Sequence, residues 1–117
     1  MKAITLFFGI FLLSACSYGQ KRISQDEFKK LMKDQSAQII DVRTANEVAQ
    51  GKIQGSINID YFKSNFIELA SGKLDKNKPV LVYCAAGGRS ASAAKDLKKA
   101  GFKKVFDLEG GYDNWKE

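Results

Sequence analysis

The sequence predicts an α/β fold in which a mainly parallel central sheet is flanked by helices. Two patterns carry this expectation. Short apolar, β-branched runs recur along the chain, and between them lie helical stretches opened by capping signatures and closed by glycine. A third observation sets the scale: 117 residues, 44% of them hydrophobic, suffice for one small core and not for two. No internal repeat or low-complexity stretch interrupts the alternation.

Ser24-Gln25-Asp26-Glu27 has the spacing of a capping box, and Phe28, Leu31 and Met32 follow at helical intervals, so a first helix is expected from Ser24 to about Lys33. Gln38 to Val42 is short, apolar and β-branched, as a buried strand is. Thr44-Ala45-Asn46-Glu47 repeats the capping spacing and starts a short helix that Gly51 can close. Ile53 to Ile59, with Gly55 inside, carries a turn and a second short strand. Asn65 to Ala70 suggests a helix ended by Gly72. Pro79 to Tyr83 is the next strand, Ser90 to Ala100 the next helix with Gly101 just beyond its end, and Val105 to Leu108 the last strand. Glu109-Gly110-Gly111 then turns the chain into a terminal segment holding Tyr112 and Trp115.

Residues 1–15 read as an address ahead of the fold. Lys2 supplies a positive start, and Ala3 to Ala15 form an apolar run shorter than the ~20 residues that span a bilayer. This is the pattern of a secretory signal. Leu13-Ser14-Ala15-Cys16 further resembles a bacterial lipobox. That resemblance implies lipidation of Cys16, a short polar lipidated tether over residues 16–22, and a domain over residues 23–117. The protein is then exported and held on the cell envelope by its lipid, facing the periplasm. Ser17 after the cysteine favours the outer membrane of a Gram-negative cell. The alternatives are a simple signal peptide with an incidental cysteine, or an uncleaved N-terminal anchor.

The formal net charge is +6, yet the lysines are dispersed along helix faces, with no dense basic block interleaved with aromatics. A solvated lysine surface is expected, and no nucleic-acid partner. The chain has no histidine, which removes Cys-His and Ser-His pairs and histidine-based metal sites, so no metal is expected. With Cys16 used by the lipid, Cys84 is an unpaired thiol in an oxidising compartment.

Cys84-Ala85-Ala86-Gly87-Gly88-Arg89-Ser90 directly follows the strand Pro79 to Tyr83. In open α/β sheets the reactive crevice lies beyond the carboxyl ends of the strands, where helix N-termini also point. The first N–H groups of the following helix have no intrahelical partner, and two glycines let the loop turn them inward as an anion nest. A thiolate at Cys84 is stabilised there without a general base, and Arg89 adds a permanent cation suited to an oxyanion. Taken singly, the same residues read as a small buried hydrophobe, an ordinary turn and a surface arginine. Their adjacency favours the site.

With these residues in view, the chain from about Ile23 to Trp115 resembles a single-domain rhodanese, the sulfurtransferase homology domain. Asp41-Val42-Arg43 with Glu47, then Gly51-Lys52-Ile53-Gln54-Gly55-Ser56-Ile57-Asn58-Ile59, is similar to the family's first signature. The Cys84 to Ser90 loop matches its active-site loop, and Gly101-Phe102, Leu108-Glu109-Gly110-Gly111 and Trp115 its C-terminal signature. The resemblance implies a rhodanese-like fold and a ping-pong sulfur transfer. Cys84 attacks the outer sulfur of a small anionic donor such as thiosulfate, and the resulting covalent persulfide passes its sulfur to cyanide or a thiol, with no cofactor. It also implies that the N–H groups of Ala85, Ala86, Gly87, Gly88 and Arg89 hold the persulfide and that Arg89 orients the donor's oxygens. Lys52 stands where the family often has histidine, and Ala85 and Ala86 are neutral where thiosulfate-adapted loops tend to be basic. Asp41, Arg43 and Glu47 read as one structural set of ion pairs and hydrogen bonds.

Two other classes compete. Cysteine phosphatases and arsenate reductases place five residues between cysteine and arginine, and usually a histidine before the cysteine; this chain has four, and Tyr83. A rhodanese-like module that only carries sulfur or docks a partner keeps the same residues. A small tethered domain is most simply a monomer.

Overall fold

The computed structural model describes residues 19–117. The predicted parallel sheet is present: five strands, all parallel, in the order β1-β5-β4-β2-β3. They are β1 (Gln20–Ile23), β2 (Gln38–Asp41), β3 (Ile57–Asn58), β4 (Val80–Tyr83) and β5 (Val105–Leu108). The helices are α1 (Gln25–Met32), α2 (Ala45–Ala49), α3 (Phe66–Lys73) and α4 (Gly88–Lys99), and a 3-10 turn covers Tyr112–Asn114.

Both N-caps form, but only the second as a full capping box. The Ser24 side chain accepts from the Glu27 N–H, and Thr44 and Glu47 close a reciprocal box around the start of α2. β4, at the centre of the sheet, is buried along its whole length. Because successive strand residues point to opposite faces, Val80, Val82 and Cys84 join a core with α3 and α4, including Phe66, Ala70, Ala93, Ala94 and Leu97. Leu81 and Tyr83 face the other way, onto Phe28 of α1, Ile53 and the C-terminal Tyr112 and Trp115. Edge-to-face contacts join Phe28 to Tyr83 and to Trp115. The C-terminal segment therefore belongs to the core beneath the end of β4.

Three expectations need correction. The segment read as a tether over residues 16–22 contributes strand in its second half: Gln20, Lys21 and Arg22 pair with Val105, Phe106 and Asp107 of β5. The missing signal is physical, since β1 is an edge strand whose first three residues are exposed, so its polar sequence shows no apolar face. Cys16 and the predicted signal peptide over residues 1–15 lie outside the described residues. The helix expected to stop at Gly72 continues to Lys73, and Leu74 ends it by turning to extended backbone (φ −118°, ψ 153°) and burying its side chain. The helix expected from Ser90 starts at Gly88, because Gly87 takes a left-handed conformation (φ 113°) and acts as its N-cap.

Candidate active site

The site is built where β4 gives way to α4. Cys84 is 1% exposed, and its Sγ accepts hydrogen bonds from the N–H groups of Gly87 (3.0 Å) and Ser90 (3.3 Å). The thiol in turn donates to Ser90 Oγ at 3.5 Å. Two backbone donors thus already solvate the sulfur atom, as the anion nest requires.

The rest of the nest follows from peptide planarity. In a trans peptide the carbonyl and the N–H point in opposite directions, so fixing one aims the other. The Cys84 carbonyl accepts from Tyr112 N–H (2.8 Å) and the Ala85 carbonyl from Asp113 N–H (2.9 Å). The Gly87 carbonyl is held by the Arg22 guanidinium and by Ser90 Oγ. The N–H groups of Ala85, Ala86 and Gly88 are aimed away from these anchors, and no acceptor among the described residues takes them. Arg89 N–H, second in α4, is likewise free. Ala86 and Gly88 are exposed, which leaves the outer side of the loop open.

The C-terminal anchor depends on Gly111. Its φ is 64°, and a Cβ there would lie 2.3 Å from the Ala85 oxygen and 2.7 Å from the Cys84 oxygen. Only glycine lets the chain pass close enough for Tyr112 and Asp113 to reach the loop carbonyls.

The charged residues sort differently from expectation. Asp41 and Arg43 pair with each other, Arg43 Nη2 lying 2.7 Å from Asp41 Oδ2, both nearly fully buried. Arg43 also donates to the Gly51 carbonyl and sits over the Tyr112 and Tyr83 rings. The Asp41 hydrogen bond raises the Arg43 pKa above its ordinary value. Burial pushes the neighbouring Tyr83 phenol up to about 12, so it stays neutral while it accepts from Ile53 N–H and shares a hydrogen bond with Ser56. Glu47, grouped with these two from the sequence, instead takes Arg89 bidentately at 2.7 and 2.9 Å. The Arg89 hydrogen bonds hold the Glu47 carboxyl down to about 2, and Glu47 raises Arg89 in return. The guanidinium expected to orient a donor's oxygens is thus turned onto a carboxylate, with the exposed Phe62 ring 5.4 Å from its centre.

Sequence reasoning missed three residues here. Ser90 supplies an N–H and a hydroxyl to the sulfur, although it was visible as the last residue of the loop. Its Oγ also lies 3.4 Å from Asp107 Oδ2, a buried carboxylate paired with Arg22 of β1 at 2.6 Å. No local signal joins Arg22 to Asp107 or to Gly87, because the three are brought together by the β1–β5 pairing. A recess of about 270 Å³ lies against the loop, lined by Arg43, Glu47, Gln50, Ala85, Tyr112 and Asp113.

A buried thiol in a backbone N–H nest, at the carboxyl end of the central strand of a parallel α/β sheet, is a setting able to hold an anion at cysteine. Comparison with known proteins narrows the class. The chain belongs to the rhodanese-like domain family, whose profile matches residues 24–117. It is 38% identical over 96 residues to the thiosulfate sulfurtransferase GlpE of Coxiella burnetii, covering 82% of this chain and 87% of that one. It is 35% identical over 94 residues to YrkF of Bacillus subtilis, named as a candidate sulfur carrier, covering 80% of this chain and 49% of that one. The structure of a rhodanese-like domain protein from Staphylococcus aureus superposes with a TM-score of 0.71 at 34% identity, covering 83% and 92% of the two chains. The fold is rhodanese-like, as the sequence led us to expect.

Two consequences can be measured. Glu47 has its carboxyl lowered from 4.5 to about 2 on folding, so its stabilisation is present above pH ~4.5 and is lost as pH falls toward ~2. With the Glu47 and Arg89 side chains 33% and 21% exposed, solvent screening reduces the pair to about 1 kcal/mol. Urea denaturation of Glu47→Gln against the parent is expected to show that gap at pH 7 and its closure across the acid range; a pH-independent gap contradicts the pairing. Gly111→Ala is expected to lose about 3 kcal/mol or more, from left-handed strain and the clash with the loop carbonyls. A melting temperature equal to the parent's contradicts the close approach.

Proposed function

We propose that the protein is a rhodanese-type sulfurtransferase working through a persulfide on Cys84. The observation that supports this most is the placement of the Gly87 and Ser90 N–H groups on Cys84 Sγ, with further unengaged N–H groups at the start of α4. The Cys84 thiolate attacks the outer sulfur of a donor such as thiosulfate, the donor's S–S bond breaks, and sulfite leaves with its electron pair. The persulfide's outer sulfur then carries the negative charge, and the unengaged N–H groups of Ala85, Ala86, Gly88 and Arg89 are the donors to receive it. Cyanide or a thiolate attacks that sulfur, forms thiocyanate or a new persulfide, and returns Cys84 as thiolate. Nucleophile and donors all reside on the chain, so the cycle uses no cofactor and no metal. A single chain supplies the whole site, and the domain works as a monomer.

The relatives named thiosulfate sulfurtransferase favour this reading. A second reading, a sulfur-carrying module with little turnover, is favoured by YrkF. The two differ in turnover and not in loading. We further propose that residues 1–15 direct export and that Cys16 carries a lipid holding the domain on the periplasmic face of the cell envelope.

Purified protein is expected to convert thiosulfate and cyanide to thiocyanate, and intact mass after incubation with thiosulfate is expected to show one added sulfur on Cys84. Cys84→Ser should lose both; unchanged activity in that variant sinks the mechanism, whereas loading without turnover selects the carrier reading. Cys16→Ala is expected to move the protein from the membrane fraction to the soluble fraction or leave it unprocessed. Retention of fully processed protein in the membrane fraction contradicts the lipid.

A further inference from the structure

The lysines that look dispersed in the sequence are gathered by the fold. In a parallel α/β sheet every strand starts at one end, and the helices that cross back to it end there. That end, opposite Cys84, carries the loops before β4 and β5 and the last turns of α1, α3 and α4. Lys76 and Lys78 lie in the loop before β4, Lys103 and Lys104 in the loop before β5, and all four are exposed. The two loops are tied together: Lys103 N–H donates to the Lys76 carbonyl (3.0 Å) and Val80 N–H to the Lys104 carbonyl (2.9 Å). Lys76 also lies over the Phe102 ring.

Lys73, Lys98 and Lys99 occupy the last turns of their helices, where they offset the helix dipole. The four loop lysines have no such duty. Among the described residues none of them forms an ion pair. The acids at this end are Asp34 and Asp75; their carboxylates accept hydrogen bonds from local donors, Ser36 and Asn77, and Lys104 lies near enough to Asp34 to add a weaker charge attraction without forming an ion pair. The same end is also where the chain enters the fold, since Gln20 pairs with Val105, next to Lys104. The residues immediately before Gly19 include the apolar run Ala3 to Ala15 and Cys16.

We infer that this basic end is a docking surface for an anionic lipid bilayer, seated by Lys76, Lys78, Lys103 and Lys104. Charge complementarity supplies the attraction, and the point of chain entry brings the surface to the membrane that the N-terminal segment addresses. The exposed outer side of the Cys84 loop, at the opposite end of β4, then faces away from the bilayer, toward donor and acceptor. The choice of a membrane over another polyanion rests on the proposed lipid attachment, whereas the basic surface is tested without it.

The test uses residues 19–117, which hold all five strands and both cores, and vesicles of phosphatidylcholine with or without about one-third phosphatidylglycerol. Cosedimentation is expected to be about tenfold stronger on the anionic vesicles and to disappear as NaCl rises from about 0.05 to about 0.5 M. The combined variant Lys76→Gln, Lys78→Gln, Lys103→Gln, Lys104→Gln is expected to lose this binding while its thiosulfate–cyanide transfer is unchanged, which also shows that it folds. Equal binding to both vesicles, or full binding by the variant, overturns the proposal, as does tighter binding to double-stranded DNA than to the anionic vesicles. In the full chain on the same vesicles, lysine acetylation followed by peptide mass analysis is expected to spare these four lysines relative to Lys63 and Lys116. Equal acetylation overturns the orientation. Because residues 19–117 lack Cys16, failure of the vesicle experiment is distinct from failure of the lipid anchor.

Discussion

The site depends on one constraint, that the carbonyls of the Cys84 loop are held outward. Holding a peptide's carbonyl in one direction aims its N–H in the other, which leaves the Ala85, Ala86 and Gly88 N–H groups free for an anion. The chain meets this from distant places: Tyr112 and Asp113 take two carbonyls, and Arg22 with Ser90 takes a third. This explains why a strand at the N-terminal edge and a 3-10 turn at the C-terminus both converge on a loop between β4 and α4. It also explains Gly111, whose missing side chain brings that turn within hydrogen-bonding distance. The aromatic packing of Trp115, Phe28, Tyr83 and Tyr112 fixes the turn to the sheet, so core stability and loop geometry are one problem.

Arginine and lysine divide the molecule between them. All three arginines are ion-paired, Arg22 with Asp107, Arg43 with Asp41 and Arg89 with Glu47, and each braces an element around the Cys84 loop. Among the described residues no lysine forms an ion pair. The division follows side-chain chemistry: the planar guanidinium fits bidentate, partly buried pairing, whereas the ammonium is strongly hydrated and stays in water. A rigid, neutralised mouth and a hydrated cationic base result from the same fold polarity.

What the sequence revealed was whatever is encoded within a few residues. The capping spacings at Ser24 and Thr44, the apolar runs of β2, β4 and β5, the glycine after α4 and the Cys84 loop are all local patterns, and each appears in the fold. What stayed hidden is encoded by tertiary neighbours. Gln20 to Arg22 become strand only because β5 offers an edge to pair with. Glu47 lies beside Arg43 in sequence, yet it pairs with Arg89, because α2 and the start of α4 meet at the mouth while Arg43 is buried against Asp41. The basic end is the extreme case, for its lysines come from separate loops and helix ends that share nothing but the direction of the strands.

These allocations bear on how the loop treats an anion. With Glu47 bound to both terminal nitrogens of Arg89, an oxyanion that recruits this guanidinium must displace a carboxylate from a bidentate pair. Ala85 and Ala86 contribute no side-chain charge to compensate. The N–H groups of Ala85, Ala86 and Gly88 carry no such cost: the Cys84, Ala85 and Gly87 carbonyls of their peptides are already satisfied, and the N–H groups have no competing acceptor among the described residues. The loop therefore offers an incoming anion its free N–H groups first, and the Arg89 guanidinium only at the cost of breaking the Glu47 pair.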